Sequence, residues 1–147
     1  MCSNIFPDMV ESTFKSNILQ MFALTKYSIP HMPKGSSIIN TTSVVAFRGS
    51  SSLIDYSSTK GAIVSFTRSL AKNVLKKGIR VNAVAPGPVH TPLQPASRPE
   101  EEMEGFGEHS MLGRPGQPSE IAPSFVFLAS AEAALYVGQV LHAYPLR

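Results

Sequence analysis

Apolar positions in the first part of the chain recur with the period of a helix. From Ser12 onward they are spaced by three and four residues, and Pro30 ends the pattern. The stripe consists of Phe14, Ile18, Phe22, Thr25 and Ile29, with threonine as its one polar member. We therefore predict a helix that begins near Ser12 and follows a loop over residues 1–11.

Two more helical patterns lie further along the chain. One starts near Tyr56 and ends at Gly78, because glycine readily adopts the left-handed conformation that terminates helices. Its apolar stripe is Ile63, Phe66, Leu70 and Val74. The other follows Pro118 and carries Ile121, Phe125 and Leu128 on one side. Pro123 is expected in the first turn of that helix, where a missing N–H is tolerated.

Three short runs between these helices have the character of strands: residues 36–43, 79–85 and 136–141. The centre of the first run is continuously apolar rather than alternating, which is typical of a parallel strand covered on both faces. Helices that alternate with such strands predict an α/β fold with a parallel sheet. Residues 44–52, rich in glycine and serine, are expected to form a flexible turn.

Tyr56 and Lys60 could form an acid/base pair, because side chains four residues apart share one helical face. A free tyrosine has a pKa of about 10, and work near neutral pH needs it about three units lower, or about 4 kcal/mol. A cation about 4 Å away supplies about 4 kcal/mol at an effective dielectric of about 20, but only about 1 kcal/mol in water. Lysine can therefore activate the tyrosine only in a partly closed site.

Ser43 lies thirteen residues before Tyr56, at the predicted end of the first strand. Ligands of open α/β sheets bind at the carboxyl ends of strands. A hydroxyl group there can donate to a substrate carbonyl while Tyr56 gives or takes the proton.

This serine, followed thirteen residues later by Tyr-x-x-x-Lys and then Gly61, resembles the active-site segment of the short-chain dehydrogenase/reductases. The resemblance implies a Rossmann-type, doubly wound parallel sheet. It also implies hydride transfer between NAD or NADP and a carbonyl or alcohol. Tyr56 would be the acid/base, Lys60 would bind the ribose and lower the tyrosine pKa, and Ser43 would orient the carbonyl. Within the family the chain looks most like the aldehyde-reductase and glucose-dehydrogenase-like branch.

The same resemblance assigns roles to residues outside this segment. Asn17 would be the fourth catalytic residue, which holds its helix and a water of the proton relay. Pro86 and Gly87 would form the turn under the nicotinamide, where the Val89 backbone meets the carboxamide and Thr91 bonds the amide or pyrophosphate. Residues 88–118 would cover the substrate. NADP is favoured over NAD, although the residues that select between them are not in this sequence.

The resemblance covers only the C-terminal half of the family's fold. No G-x-G-x-x-G turn is present, so residues 1–147 are expected to form a single partial domain that lacks the nucleotide-binding half. The strand before Ser43 would then be an open edge, and dehydrogenase activity would be impaired. A homo-oligomer through the helices of Asn17 and Tyr56 is expected, whereas the changed residues 142–147 depart from the ending through which family members form tetramers.

Composition excludes several other classes of protein. The net charge is +3 with a pI near 9.2, too small and too scattered to indicate nucleic-acid binding. The cluster Lys72, Lys76, Lys77 and Arg80 falls where cations complement a helix dipole.

A single cysteine, Cys2, suits a reducing compartment. No run reaches the about 20 apolar residues of a membrane span, so a cytoplasmic protein is expected. Glu100, Glu101, Glu102, Glu104 and His109 are read as a solvated acidic turn rather than metal ligands.

Two alternatives to an active oxidoreductase remain open. The chain could be an inactive fragment that pairs with full-length subunits. It could also be a serine hydrolase using Ser43 with His31, His90, His109 or His142. The sequence has no G-x-S-x-G elbow, and its only aspartates are Asp8 and Asp55, which disfavours the hydrolase.

Overall fold

The computed structural model describes residues 6–97 and 103–145 as an α/β fold with helices on both faces of a parallel sheet. The α-helices within these residues are α1 Pro7–Phe14, α2 Gln20–Ser28, α3 Val45–Arg48, α4 Ile54–Val74, α5 Leu93–Ser97 and α6 Pro118–Ala129. Its strands are β1 Ser37–Thr41, β2 Arg80–Pro86 and β3 Val140–Ala143. The predictions for Cys2, for the acidic residues Glu100, Glu101 and Glu102, and for residues 146–147 lie outside the described residues.

The sheet has the order β1-β2-β3, and both strand pairs are parallel. Ser37 pairs with Arg80 at the start of β1, and Ala83 pairs with Val140 at the start of β3. All five residues from Val81 to Ala85 are buried, as a strand covered on both faces requires. The predicted parallel sheet is therefore confirmed.

Successive side chains of the strands point to opposite faces, where two helices cover them. On one face, Val81 and Ile79 pack with Ala71 and Val74 of α4. On the other, Val84 packs with Leu128 of α6 and with Ala133. Helix α4 ends as predicted, through a short 3-10 turn to Gly78, whose φ of 72° is left-handed.

The N-terminal helix differs from the prediction in its start and in its winding. It begins at Pro7 rather than near Ser12, because proline is well suited to the first turn of a helix and Asp8 adds an acidic group there. Between α1 and α2, Lys15–Leu19 form one turn of π-helix. Of the predicted stripe, Ile18 is buried and Ile29 packs against the core, whereas Phe22 is 55% exposed with its ring edge to face against Phe66.

The third strand begins later than predicted, at Val140 rather than at residue 136. The reason is the buried side chain of Asn82, whose amide donates to the Tyr136 carbonyl at 2.7 Å and accepts from the Gln139 N–H at 2.9 Å. Gly138, with a φ of 70°, turns the chain between them. Two backbone bonds also join this segment to β2, from the Gly138 N–H to the Val81 carbonyl and from the Ala83 N–H to the Gln139 carbonyl, both at 2.8 Å.

Three further local predictions need correction. Residues 44–52 contain the short helix α3 rather than only a flexible turn. Pro123 lies inside α6, one turn further from the start at Pro118 than expected. Arg80 does not serve the dipole of α4, because it lies in β2 and its guanidinium donates to carbonyls at the end of α6.

Helix α6 begins with a charged hydrogen-bond network. The Glu120 carboxylate accepts from both terminal nitrogens of Arg114 at 2.8 Å and from the Gln117 N–H at 2.8 Å. The bonds from Arg114, followed by the one from Gln117, lower the pKa of Glu120 from 4.5 to about 2.

This depressed pKa predicts how stability depends on pH. Because the folded-state value lies below the unfolded one, the stabilisation by Glu120 is complete above pH 4.5 and is lost as the pH falls towards about 2. A carbon-detected NMR titration of the Glu120 carboxyl should show the low midpoint. In Arg114→Gln the midpoint should rise. An unchanged midpoint in that variant would contradict the assignment to Arg114.

Among the described residues, β1 has a neighbour on one side only, so its other edge is open, as expected. Apolar side chains of α2 are exposed nearby, with Leu24 at 62% and Tyr27 at 68%. Within residues 6–97 and 103–145, no helix is both long enough and apolar enough to cross a membrane.

Candidate active site

Lys60 fastens the start of α4 to the end of β1. Its ammonium donates to the Thr41 carbonyl at 3.0 Å and lies 5.3 Å from the centre of the Tyr56 ring. The Thr42 hydroxyl donates in turn to the Lys60 carbonyl at 2.7 Å. The predicted proximity of ammonium and phenol ring is thus present. Burial lowers the pKa of Lys60, since the charged form loses water contacts.

Ser43 lies where β1 and β2 end together. The N–H of Thr42 donates to the Val84 carbonyl and that of Val44 to the Pro86 carbonyl, both at 2.9 Å, which holds the chain on either side of Ser43 against β2. The Ser43 hydroxyl accepts from the Val45 N–H at 3.4 Å, so α3 starts directly from it. The structure therefore brings Ser43 to the end of the sheet that also holds Lys60.

Asn17 lies within the π-helical turn and reaches across to α4. Its amide donates to the Thr59 hydroxyl at 3.0 Å, and that hydroxyl donates to the Tyr56 carbonyl at 2.8 Å. π-Helical turns are frequent at functional sites. Asn17 is therefore fixed beside the backbone that carries Tyr56 and Lys60.

A second bond ties the N-terminal helix to α4. The Thr13 hydroxyl donates to the Asp55 carboxylate at 2.6 Å, and this bond lowers the pKa of Asp55. Asp55 directly precedes Tyr56, so the first turn of α4 is held from both α1 and β1. This tie was not anticipated from the sequence.

The Pro86-Gly87 turn leaves backbone groups suited to an amide ligand. Val89 forms a parallel bridge with Gly116. The bonds of this bridge use the groups that flank Val89: the Gly116 N–H donates to the Pro88 carbonyl and the His90 N–H donates to the Gly116 carbonyl, both at 2.9 Å. In a parallel bridge the central residue directs its own N–H and carbonyl to the opposite side. These groups of Val89 can therefore meet a carboxamide, and Thr91 is half-buried just beyond.

Three aromatic rings lie near this turn, and two of them, Phe47 and Tyr144, had no predicted role. Phe47 and His142 meet edge to face with ring centres 4.5 Å apart, and the His142 Nδ1 lies 3.2 Å from the Tyr144 hydroxyl. His142 and Tyr144 are two residues apart on and just after β3, which predicts a shared face. Phe47 comes from α3, and no sequence pattern indicated this helix.

The hydrolase alternative gains no support from these contacts. Among residues 6–97 and 103–145, no hydrogen bond joins Ser43 to a histidine, and the Ser43 hydroxyl bonds the Val45 N–H. His142, one of the candidate bases, pairs with Tyr144.

The chain is similar in sequence and in fold to known oxidoreductases. The family model described as Enoyl-(Acyl carrier protein) reductase matches residues 2–143. An NADPH-dependent aldehyde reductase of Arabidopsis thaliana, named as chloroplastic, is 56% identical over 134 residues, which are 90% of this chain and 46% of the relative. A crystal structure of a short-chain glucose/ribitol dehydrogenase from Brucella melitensis aligns with a TM-score of 0.82 and 34% identity. That alignment covers 95% of this chain and 56% of the other.

The chain belongs to the short-chain dehydrogenase/reductase family.

The resemblance stated from the sequence, including its aldehyde-reductase and glucose-dehydrogenase-like character, is confirmed by these matches. An angucycline C-6 ketoreductase with bound NADP aligns with a TM-score of 0.89 and 26% identity, covering 97% of this chain and 55% of the other. The Rossmann-type fold is thereby confirmed as well. The chain spans about half the length of the curated relatives it matches.

Proposed function

We propose that this chain supplies the carbonyl-reducing site of an NAD(P)-dependent oxidoreductase that interconverts a carbonyl and an alcohol. The observation that carries the proposal is the position of the Lys60 ammonium, which is bonded to the Thr41 carbonyl and lies over the Tyr56 ring. An ammonium has three donors, so Lys60 keeps two for a ribose while Thr41 holds it in place.

Each remaining site residue has a distinct role in this proposal. Tyr56 donates its hydroxyl proton to the carbonyl oxygen, or removes one from the alcohol in the reverse reaction, and the charge on Lys60 favours the phenolate that results. Ser43 orients the carbonyl by a hydrogen bond. Asn17 positions α4 through Thr59 and the Tyr56 carbonyl, and it holds the water of the proton relay.

The residues present fit the nicotinamide end of a dinucleotide. The unused backbone groups of Val89 would bond the carboxamide beside the Pro86-Gly87 turn, and Thr91 would bond the amide or pyrophosphate. When bound, the dinucleotide supplies or accepts the hydride. We favour NADP, because one relative is named as NADPH-dependent and one structural neighbour has NADP bound. The sequence holds no glycine-rich turn for the adenosine end.

We further propose that residues 1–147 are one partial domain in which residues 88–118 cover the substrate. Its partners would be a small carbonyl or alcohol substrate and other subunits bound through the helices of Asn17 and Tyr56, with neither nucleic acid nor membrane. A cytoplasmic location is proposed from the single cysteine, Cys2. Because one relative is named as chloroplastic, cell fractionation is the test of location.

Turnover of NADPH with an aldehyde tests the proposed reaction. We expect the purified 147-residue chain to give little or no turnover, since water enters a site that the dinucleotide does not close. A chimera with the N-terminal half of the Arabidopsis aldehyde reductase should restore it. Full turnover by the isolated chain would refute the impairment, and a folded chimera that binds NADPH but reduces no carbonyl compound would refute the reaction.

A second candidate function is that of an inactive partner of full-length subunits. It is favoured by the exposed apolar side chains of α2, among them Phe22, Leu24 and Tyr27. Size-exclusion chromatography of the chain with and without a full-length relative separates the two: a mixed complex without turnover supports the partner function.

A further inference from the structure

A cavity of about 250 Å³ lies between the Pro-Gly turn and the end of β3. Its apolar lining comes from three parts of the chain: Pro88 after the turn, Leu112 and Ile121 from the following region, and Ala143 and Tyr144 from the end of the sheet. Ala143, Tyr144 and Pro145, which lie in the segment that departs from the family's usual ending, therefore contribute one wall of this cavity.

Tyr144 is fixed in that wall by close packing on Gly87. A Cβ atom added to Gly87 would lie 2.7 Å from the Tyr144 Cβ, so only glycine permits this approach. The Tyr144 ring also contacts His142 edge to face, with 5.6 Å between ring centres, and His142 in turn contacts Phe47. The side chain of Tyr144 is thus held from two directions.

The same packing connects the cavity wall to the proposed reaction centre. Phe47 follows Ser43 by four residues in α3, and the N–H of Val44 donates to the Pro86 carbonyl beside Gly87. Gly87 and Pro88, which directly follow that Pro86 carbonyl, line the cavity, so the cavity begins next to the backbone that holds Val44 and Ser43.

The charged groups at the cavity are already engaged with each other. Arg114 and Glu120 are joined by two hydrogen bonds between guanidinium and carboxylate. The Ser110 hydroxyl donates to the Arg114 carbonyl at 2.8 Å. Ser124 adds one hydroxyl to the lining. A polyol that entered would lose water from several hydroxyl groups and gain few partners, whereas an alkyl or aryl group would gain apolar contact.

We propose that this cavity takes the apolar substituent of the carbonyl substrate, and that Leu112 and Tyr144 select alkyl or aryl aldehydes and alcohols over open-chain polyols. The proposal rests on the proposed oxidoreductase function and names the substrate class of the same site.

Binding of non-reacting alcohols to the ¹⁵N-labelled 147-residue chain tests the selection without any hydride transfer. Benzyl alcohol should shift the amide signals of Gly87 and Gly116, and ribitol at the same concentration should not. Leu112→Asn should weaken benzyl alcohol binding by about tenfold, and Tyr144→Ala by at least as much. Because Leu112 is 62% exposed, its substitution should leave the fold intact.

Leu135→Asn is the matched control, because Leu135 is 95% exposed and does not line the cavity. It should leave the binding unchanged. Ribitol binding as tightly as benzyl alcohol, equal loss in the Leu135 variant, or shifts confined to the exposed apolar residues Leu24 and Tyr27 of α2 would each overturn the proposal. Since no turnover is measured, these outcomes are distinct from a failure of the chimera to reduce carbonyl compounds.

Discussion

Tyr56→Phe is expected to lower the rate of NADPH-dependent aldehyde reduction by the chimera at least about 10²-fold. The substitution removes the proton donor and keeps the ring, over which the Lys60 ammonium lies at 5.3 Å. Lys60 also keeps its bond to the Thr41 carbonyl, so the fold and the dinucleotide affinity should change little. The measurement is single-turnover NADPH oxidation at saturating aldehyde, with NADPH affinity determined separately.

Tyr27→Phe is the matched control for that experiment. It deletes the same hydroxyl from a ring that is 68% exposed on α2, and the rate should stay at the wild-type value. Wild-type turnover in both variants would show that Tyr56 is not the acid/base. A loss in Tyr56→Phe that came from NADPH affinity alone would reassign the residue to binding.

The sheet could be predicted because its signal is local. The run from Val81 to Ala85 is apolar apart from Asn82, and only a strand covered on both faces buries so many consecutive residues. Gly78 likewise marks the end of α4, since its φ of 72° strains other residues. These elements depend little on residues distant in sequence.

The N-terminal helix shows where periodicity is insufficient. A stripe at spacings of three and four assumes 3.6 residues per turn throughout and gives no sign of the π-helical turn Lys15–Leu19. Phe22 of that stripe is 55% exposed, although its ring meets Phe66 of α4 edge to face. The bond from Asn17 to Thr59, 42 residues away, likewise has no signature in the local pattern.

Within the site, the spacing of side chains along the sequence predicted which of them lie close together. It did not predict which backbone groups they bond. The four-residue separation of Tyr56 and Lys60 predicted their proximity, yet the main acceptor of Lys60 is the carbonyl of Thr41, a group that every residue has. The predicted start of β3 was wrong for a related reason, because the Asn82 side chain binds the backbone at Tyr136 and Gln139. Both bonds join segments that only the tertiary fold brings together.

Arg80→Met is expected to destabilise the protein by about 3 kcal/mol, the largest loss we anticipate from a single residue outside the site. The guanidinium donates to the carbonyls of Leu128, Ala133 and Ser130 at 2.9, 3.1 and 2.9 Å. Each is a charge-assisted bond to a group at or just beyond the C-terminus of α6, where a positive charge is favourable. Methionine keeps much of the aliphatic stem, so the loss reports the bonds more than the packing.

Thermal unfolding of the 147-residue chain measures the loss, with a fall in Tm of roughly 6–12 °C for a domain of this size. Arg68→Met is the control, since Arg68 is exposed on α4, and its Tm should stay close to the wild-type value. Equal shifts in both variants would mean that net charge, rather than the bonds to α6, sets the effect. Because Ser37 also donates to the Leu128 carbonyl at 3.0 Å, that carbonyl should keep one donor in Arg80→Met.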